Sequence, residues 1–202
     1  MSRQTARSEA KREAIIATAT RVFLAGGYAA ASMDGIATEA DVSKRTVYNH
    51  FPTKRDLFRA VVGRLYESLI EADSGVPSEH LPPQQGLPKF AVRLLAYLRR
   101  AEVQALLRLV IAEHHRFPEL SQDFFAGGKG PAVAMLVRYL AVQASQGRLA
   151  IPDPARAAAE FLGAVKEGCF WPAMLGLPTD DDDAVIASAV AAFLRAHGTD
   201  RP

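Results

Sequence analysis

Cysteine is nearly absent. The 202-residue chain has one, Cys169, so no internal disulfide can form, and a reducing cytoplasm is the expected setting. No uninterrupted apolar run approaches the roughly 18 residues that would suggest a membrane-spanning helix, so no membrane partner is expected. The opening stretch, MSRQTARSEAKREA, is polar and basic and lacks the apolar core of a signal peptide. Histidine is sparse: His50, His80, His114, His115 and His197. His114 and His115 are adjacent, and neighbours on a helix point about 100° apart, which does not suit sharing one ion. No phosphate loop, GxSxG elbow or zinc spacing occurs. No metal, cofactor or catalytic group is therefore expected. Cys169 reads as a small buried hydrophobe, and the run Asp180–Asp183 as acidic capping of a helix start. Strand alternation, hairpin dipeptides and internal repeats are missing too.

What is there is helical periodicity. Ile15, Ile16, Ala19, Val22 and Phe23 form one stripe, stopped by Gly26-Gly27. Ser32 caps a second helix with Met33, Ile36, Ala37 and Ala40 on one face. Ser43 caps a short third helix. There Val42 and Val47 have the spacing of a hydrophobic staple, and Val47 and Phe51 point inward together. Pro52 ends this helix. Thr53 with Asp56 starts a fourth, carried by Leu57, Phe58, Val61, Val62, Leu65 and Leu69 to about residue 72. Residues 74–88 hold four prolines and two glycines and read as a linker. Helices are then expected over about 89–100, 102–116, 131–147, 154–175 and 182–197, with AGGKGP near 126–131 as a strong break. The fold class is all-α, about nine helices: a three-helix head and a longer helical body.

Charge is uneven. Residues 1–66 carry 11 Lys/Arg against 6 Asp/Glu, a net of +5, and the remainder 13 against 16, a net of −3. A basic head suggests a polyanion. The second and third helices form a helix-turn-helix over about residues 32–51. Lys44, Arg45, Tyr48 and Asn49 occupy the face opposite Val47 and Phe51, a width that suits the major groove. Lys44 and Arg45, in the first turn, can donate to guanine or phosphate. Asn49 can pair with adenine or meet a phosphate. Tyr48 and Lys54 suit phosphate oxygens, which position the protein without specifying bases. From these residues alone, an all-α ligand-binding protein or enzyme with an incidental basic head stays open beside the DNA reader.

The span SMDGIATEADVSKRTVYNHFPTKRDLF resembles the DNA-binding domain of TetR/AcrR-type transcriptional regulators. The matching elements are Ser32, Ile36-Ala37, Ala40-Asp41-Val42-Ser43, Tyr48-Asn49-His50-Phe51, Lys54 and Leu57. The strong motif covers about residues 10–60. The resemblance implies a DNA face of Ser32, Lys44, Arg45, Thr46, Tyr48, Asn49, His50 and Lys54. It also implies a DNA-binding domain over residues 1–53 and an effector-binding, dimerising body over 54–202. The partners it implies are double-stranded operator DNA, a second copy of the chain and a small-molecule effector, and the implied activity is transcriptional regulation, most simply repression. Asp41 departs from the family's usual glycine. If the site is left-handed, aspartate is among the few residues that tolerate it.

In the body, an effector cavity is expected from Phe90, Leu94, Tyr97, Arg108, Ile111, His114, Phe125 and Trp171, which would favour an apolar ligand. A dimer seam is expected from Phe161, Leu162, Val165, Val185, Ile186, Ala189, Val190 and Phe193 on the last two helices. A monomer core explains the same stripes. A single short reading helix covers few base pairs, so a pair reading the half-sites of a pseudo-palindrome is the expected arrangement.

Overall fold

The structure, a computed structural model, describes residues 3–70 and 80–199. Ten α-helices and one π-helical segment lie among them, without a named strand. They are α1 (Arg3–Gly26), α2 (Met33–Glu39), α3 (Lys44–His50), α4 (Lys54–Ile70), α5 (Pro83–Leu98), α6 (Ala101–Glu113), α7 (Pro118–Phe124), the π segment Phe125–Lys129, α8 (Gly130–Ser145), α9 (Pro154–Met174) and α10 (Asp182–His197). Counting the unbroken run Pro118–Ser145 once gives nine. None of the described helices is long and apolar enough to cross a membrane. The chain divides into two compact units, Met1–Tyr66 with Ala105–Lys129, and Glu67–Gln104 with Gly130–Pro202.

In the first unit, α1, α2 and α3 pack on one another. The apolar stripes meet inside: Ile15, Ile16, Phe23, Ile36, Ala37, Val47 and Phe51 are buried. Each buried large side chain contributes about 1.5–3 kcal/mol, which is what holds a seven-residue helix that would be marginal alone. The caps are local. Ser32 Oγ accepts from Gly35 N–H at 3.0 Å, and Ser43 Oγ accepts from Thr46 N–H at 3.1 Å. Thr53 and Asp56 form a reciprocal box, each side chain accepting the other's backbone N–H. Asp41 has φ +53°, so the turn is left-handed where aspartate replaces glycine. Phe23, Tyr28 and Phe58 form an aromatic cluster with centroids 5.6–6.0 Å apart, and Phe117 stacks edgewise on Tyr28 at 5.0 Å.

The expected break at AGGKGP is absent. These glycines continue the helical run as a π turn, because they serve close approach. A Cβ at Gly128 would overlap the buried Tyr66 ring, and one at Gly127 would sit 3.6 Å from Val62. The Tyr66 phenol is pushed up to about 12 by burial.

The second unit is built from α5, α8, α9 and α10, with α9 packed on α5, α8 and α10, and α10 also on α5. Its core includes Leu87, Phe90, Leu95, Tyr139, Phe161, Val165 and Phe193. Cys169 is fully buried here, and burial pushes its thiol up to about 11. The expected linker overlaps a helix. Pro82 stands at the N-cap of α5 and Pro83 at its first position, where the missing N–H costs nothing. Residues 74–79 of that linker, and the Leu69 side chain, lie outside the described residues. Tyr139 Oη donates to Leu81 O at 2.9 Å, tying the approach to α5 onto α8. Near the end of α9, Pro172 cannot donate to Gly168 O. That carbonyl accepts Asp180 N–H at 3.1 Å instead, and a Cβ at Gly168 would overlap the Asp180 carboxylate.

Candidate nucleic-acid interface

The turn between α1 and α2 is gripped from two sides. Lys54, at the start of α4, donates to the carbonyls of Tyr28 (2.8 Å), Ala31 (2.9 Å) and Ala29 (3.4 Å), and lies 4.5 Å from the Tyr28 ring centre. Burial lowers its pKa. Glu113, the last residue of α6, accepts Ala29 N–H at 2.9 Å. A phosphate was the expected partner of Lys54, and the structure directs its ammonium at protein carbonyls. Local spacing could not reveal this, since the carbonyls lie 23–26 residues away. Glu113 offered no signal at all.

A second grip holds the first turns of α4. Asp123 of α7 accepts from Arg55 Nε at 2.6 Å and Nη2 at 3.0 Å, and from Arg59 Nε at 2.8 Å. Its side chain is 6% exposed. Burial alone would raise its pKa, but the two guanidinium groups outweigh that and hold the carboxyl below its ordinary value of 3.8. A depressed carboxylate stabilises the fold above that value, and the contribution is lost as pH falls through the lower folded value. Asp123→Asn is therefore expected to lower the melting temperature by several degrees at pH 7 and to narrow the gap to the parent below about pH 4. Thermal melts at pH 7 and pH 3.5 check this. An equal gap at both pH values counts against the assignment.

These grips leave the outer face of α3 free. Arg45, Tyr48 and Asn49 are exposed, Thr46 and His50 partly so, and Ser32 is exposed at the start of α2. Tyr48 is 47% exposed, an unusual position for a large ring. Lys44 is exposed too, but its Nζ donates to Asp34 Oδ2 at 2.6 Å. That hydrogen bond, and the charge behind it, raise the Lys44 pKa. Arg45 makes no such pair among the described residues. Seven of the eight expected DNA-face residues are thus at least partly exposed, and Lys54 is the one whose ammonium is held by protein carbonyls.

The body departs in part from two expectations. Ile111, Phe125 and Trp171 are 58%, 56% and 45% exposed, so in the single chain their side chains face solvent. His114 Nδ1 faces Ser121 Oγ at 3.0 Å, and Arg108 lines a shallow groove with Phe23, Gly27 and Glu113 inside the first unit. Phe90, Leu94 and Tyr97 are buried on α5. Aromatic spacing on a helix does not tell an inner face from an outer one. Of the expected seam residues, Phe161, Leu162, Val165, Ile186, Val190 and Phe193 are buried in the chain's own core, while Val185 and Ala189 also line an open groove between α9 and α10. The strongest apolar stripe was spent on the subunit itself. Most of the rest of that groove is small residues, Ala164, Gly168, Ala184, Ser188 and Ala192, with Asp180 at its edge.

The chain's resemblances follow this layout. The family model described as "Bacterial regulatory proteins, tetR family" matches residues 15–61, and "AefR-like transcriptional repressor, C-terminal domain" matches residues 85–199. The chain is 27% identical over 175 residues to the HTH-type transcriptional repressor BepR of Brucella suis biovar 1, covering 83% of this chain and 82% of BepR. Over 60 residues it is 44% identical to the HTH-type transcriptional activator FasR of Mycolicibacterium smegmatis, 30% of this chain and 27% of FasR. The solved structure of the flavonoid-responsive regulator FrrA is 31% identical with a TM-score of 0.83, covering 96% of this chain and 100% of that one.

Proposed function

The chain belongs to the TetR family of bacterial regulatory proteins, a ligand-responsive DNA-binding transcriptional regulator and not an enzyme, and from that premise we propose how its residues divide the work. Residues 1–53 are the reading head and residues 54–202 the effector-binding and dimerisation body. The protein acts as a cytoplasmic homodimer on a pseudo-palindromic operator, as a repressor that a small, largely apolar effector releases. FrrA's response to flavonoids supports a flat aromatic class. The seam runs along the small-residue groove of α9 and α10, where backbones can approach closely. The effector acts by differential binding to two states of the dimer, and α4 transmits the difference to the heads.

The observation that carries the reading is the outer face of α3: exposed Arg45, Tyr48 and Asn49 on a seven-residue helix anchored by fully buried Val47. Within it, Arg45 is the base reader. Lys44 already has a carboxylate partner and can exchange it for a phosphate when DNA arrives, while Arg45 has none to give up. On a duplex selected by the parent protein from random-sequence DNA, Arg45→Ala is expected to weaken binding about 5- to 150-fold and to flatten preference at one or two positions. Lys44→Ala is expected to weaken selected and random duplexes alike, and by less. Gel-shift titrations measure both. The reverse ranking would sink this assignment, and a parent with no preference among duplexes would sink the regulator reading itself.

A further inference from the structure

The N-terminal turns of α1 run beside the recognition helix and close a groove with it. Its lining is Gln4, Arg7, Ser8 and Lys11 from α1 and Thr46, Asn49 and His50 from α3. Every lining side chain is polar, two are cationic, and none is a carboxylate. Arg7 and Lys11 are exposed and stand i, i+4 on α1, one above the other along the groove.

The charges around this groove are arranged selectively. In the first unit, Arg12 pairs with Glu9 and Glu13, Arg21 with Glu39, Arg64 with Glu13, and Arg55 and Arg59 with Asp123. Lys44 pairs with Asp34, and Lys54 is spent on carbonyls. Among the described side chains of residues 4–66, the cations without a protein partner are Arg7, Lys11 and Arg45. A protein that neutralises most of its cations internally, and leaves two in a carboxylate-free groove, has kept them for an outside anion.

We infer that this groove is a binding site for the sugar-phosphate backbone of one DNA strand. The inference rests on the DNA-binding reading and extends it from α3 to α1. As α3 enters the major groove, the strand bordering it passes between the two helices. Arg7 and Lys11 contact consecutive phosphates from one side, and Thr46 and Asn49 close on it from the other. The i, i+4 rise of about 6 Å is close to the roughly 6–7 Å spacing set by one nucleotide of backbone, so the two cations fall on neighbouring phosphates. Such contacts add affinity for any sequence and set register without reading bases.

The test uses the full chain carrying Arg7→Gln and Lys11→Gln together, with Arg7→Lys plus Lys11→Arg as the charge-preserving variant. Because both side chains are exposed, melting temperatures serve as the fold check. The probes are the duplex selected by the parent protein and a random duplex of equal length, titrated from 50 to 300 mM salt. The expected result is a slope of log K against log salt shallower by about 1.8, since each phosphate no longer neutralised removes about 0.9. Both duplexes should weaken by the same factor, about tenfold or more, with base preference intact and the charge-preserving variant near the parent. An unchanged slope with an intact parent preference overturns the groove and leaves the regulator standing. A change in base preference overturns the phosphate assignment. If the parent itself prefers no duplex, the regulator reading fails and the groove with it.

Discussion

Phe58→Ala is expected to melt about 6–20 °C below the parent and to lose operator binding at about 37 °C. Phe58 is fully buried, with Phe23 at 6.0 Å and Tyr28 at 5.6 Å between ring centres. Truncating such a ring removes its transfer free energy and leaves a cavity, together about 3–5 kcal/mol, and each kcal/mol moves the melting point of a chain of this size by about 2–4 °C. The loss is not uniform. Tyr28 is the residue whose carbonyl Lys54 holds, so the turn gripped by Lys54 and Glu113 loses its floor. Phe58→Leu fills most of the space and is expected to keep more than half of the stability that alanine removes. Thermal melts and gel shifts on the same preparations read both effects. A Phe58→Ala protein within about 2 °C of the parent would rule out this cluster as the floor of the reading head.

Gly128→Ala is the second large effect, because the added methyl has nowhere to go. It would overlap ring carbons of Tyr66, itself buried and edgewise on Phe124 at 5.8 Å. Overpacking of this kind costs about 1–3 kcal/mol, a fall of about 2–12 °C. Gly63→Ala is the contrast: a methyl added there, in the middle of α4, would meet nothing within 4 Å, so alanine is expected to stabilise by about 0.5–1 kcal/mol. Adding Tyr66→Ala to Gly128→Ala is expected to cost less than the sum of the two changes, since the ring that clashes is gone. Strict additivity of that pair, measured by denaturant titration, would remove the steric explanation.

The reading head was legible because its signals are local. Ser32, Ser43 and the Thr53–Asp56 box each bond within three residues, and Val47 and Phe51 lie one turn apart, so caps and inward faces follow from spacing alone. Asp41 even carries its conformation in its type. Distance along the chain is what hid the rest. Lys54 finds carbonyls more than twenty residues away, Asp123 finds arginines more than sixty away, and neither partner marks the sequence near the other. Glycine misled at 127–128 since a helix stop and a close crossing call for the same missing side chain. The stripes of α9 and α10 carry both roles at once, because burial by one's own subunit and burial by a copy look alike in sequence: Phe161 and Phe193 lie in the chain's own core, Val185 and Ala189 at the open groove. Arg7 and Lys11 left a trace that could have been followed: two cations one turn apart, just ahead of the stripe that begins at Ile15.

The end of α9 has a consequence for how sequences like this one can diverge. Pro172 vacates the Gly168 carbonyl, and a backbone N–H from the following connection occupies it, so the path of residues 175–180 is held there by a main-chain bond, beside the side-chain bond from Arg99 Nη2 to Thr179 Oγ1 at 3.3 Å. Exposed Leu175 and Leu177 are then free to drift. The docking couples two positions: a Cβ at 168 would displace the Asp180 carboxylate only while the connection lies there, and the Gly168 carbonyl is open to that connection because 172 cannot donate. Glycine and proline at these two sites should be kept together or lost together.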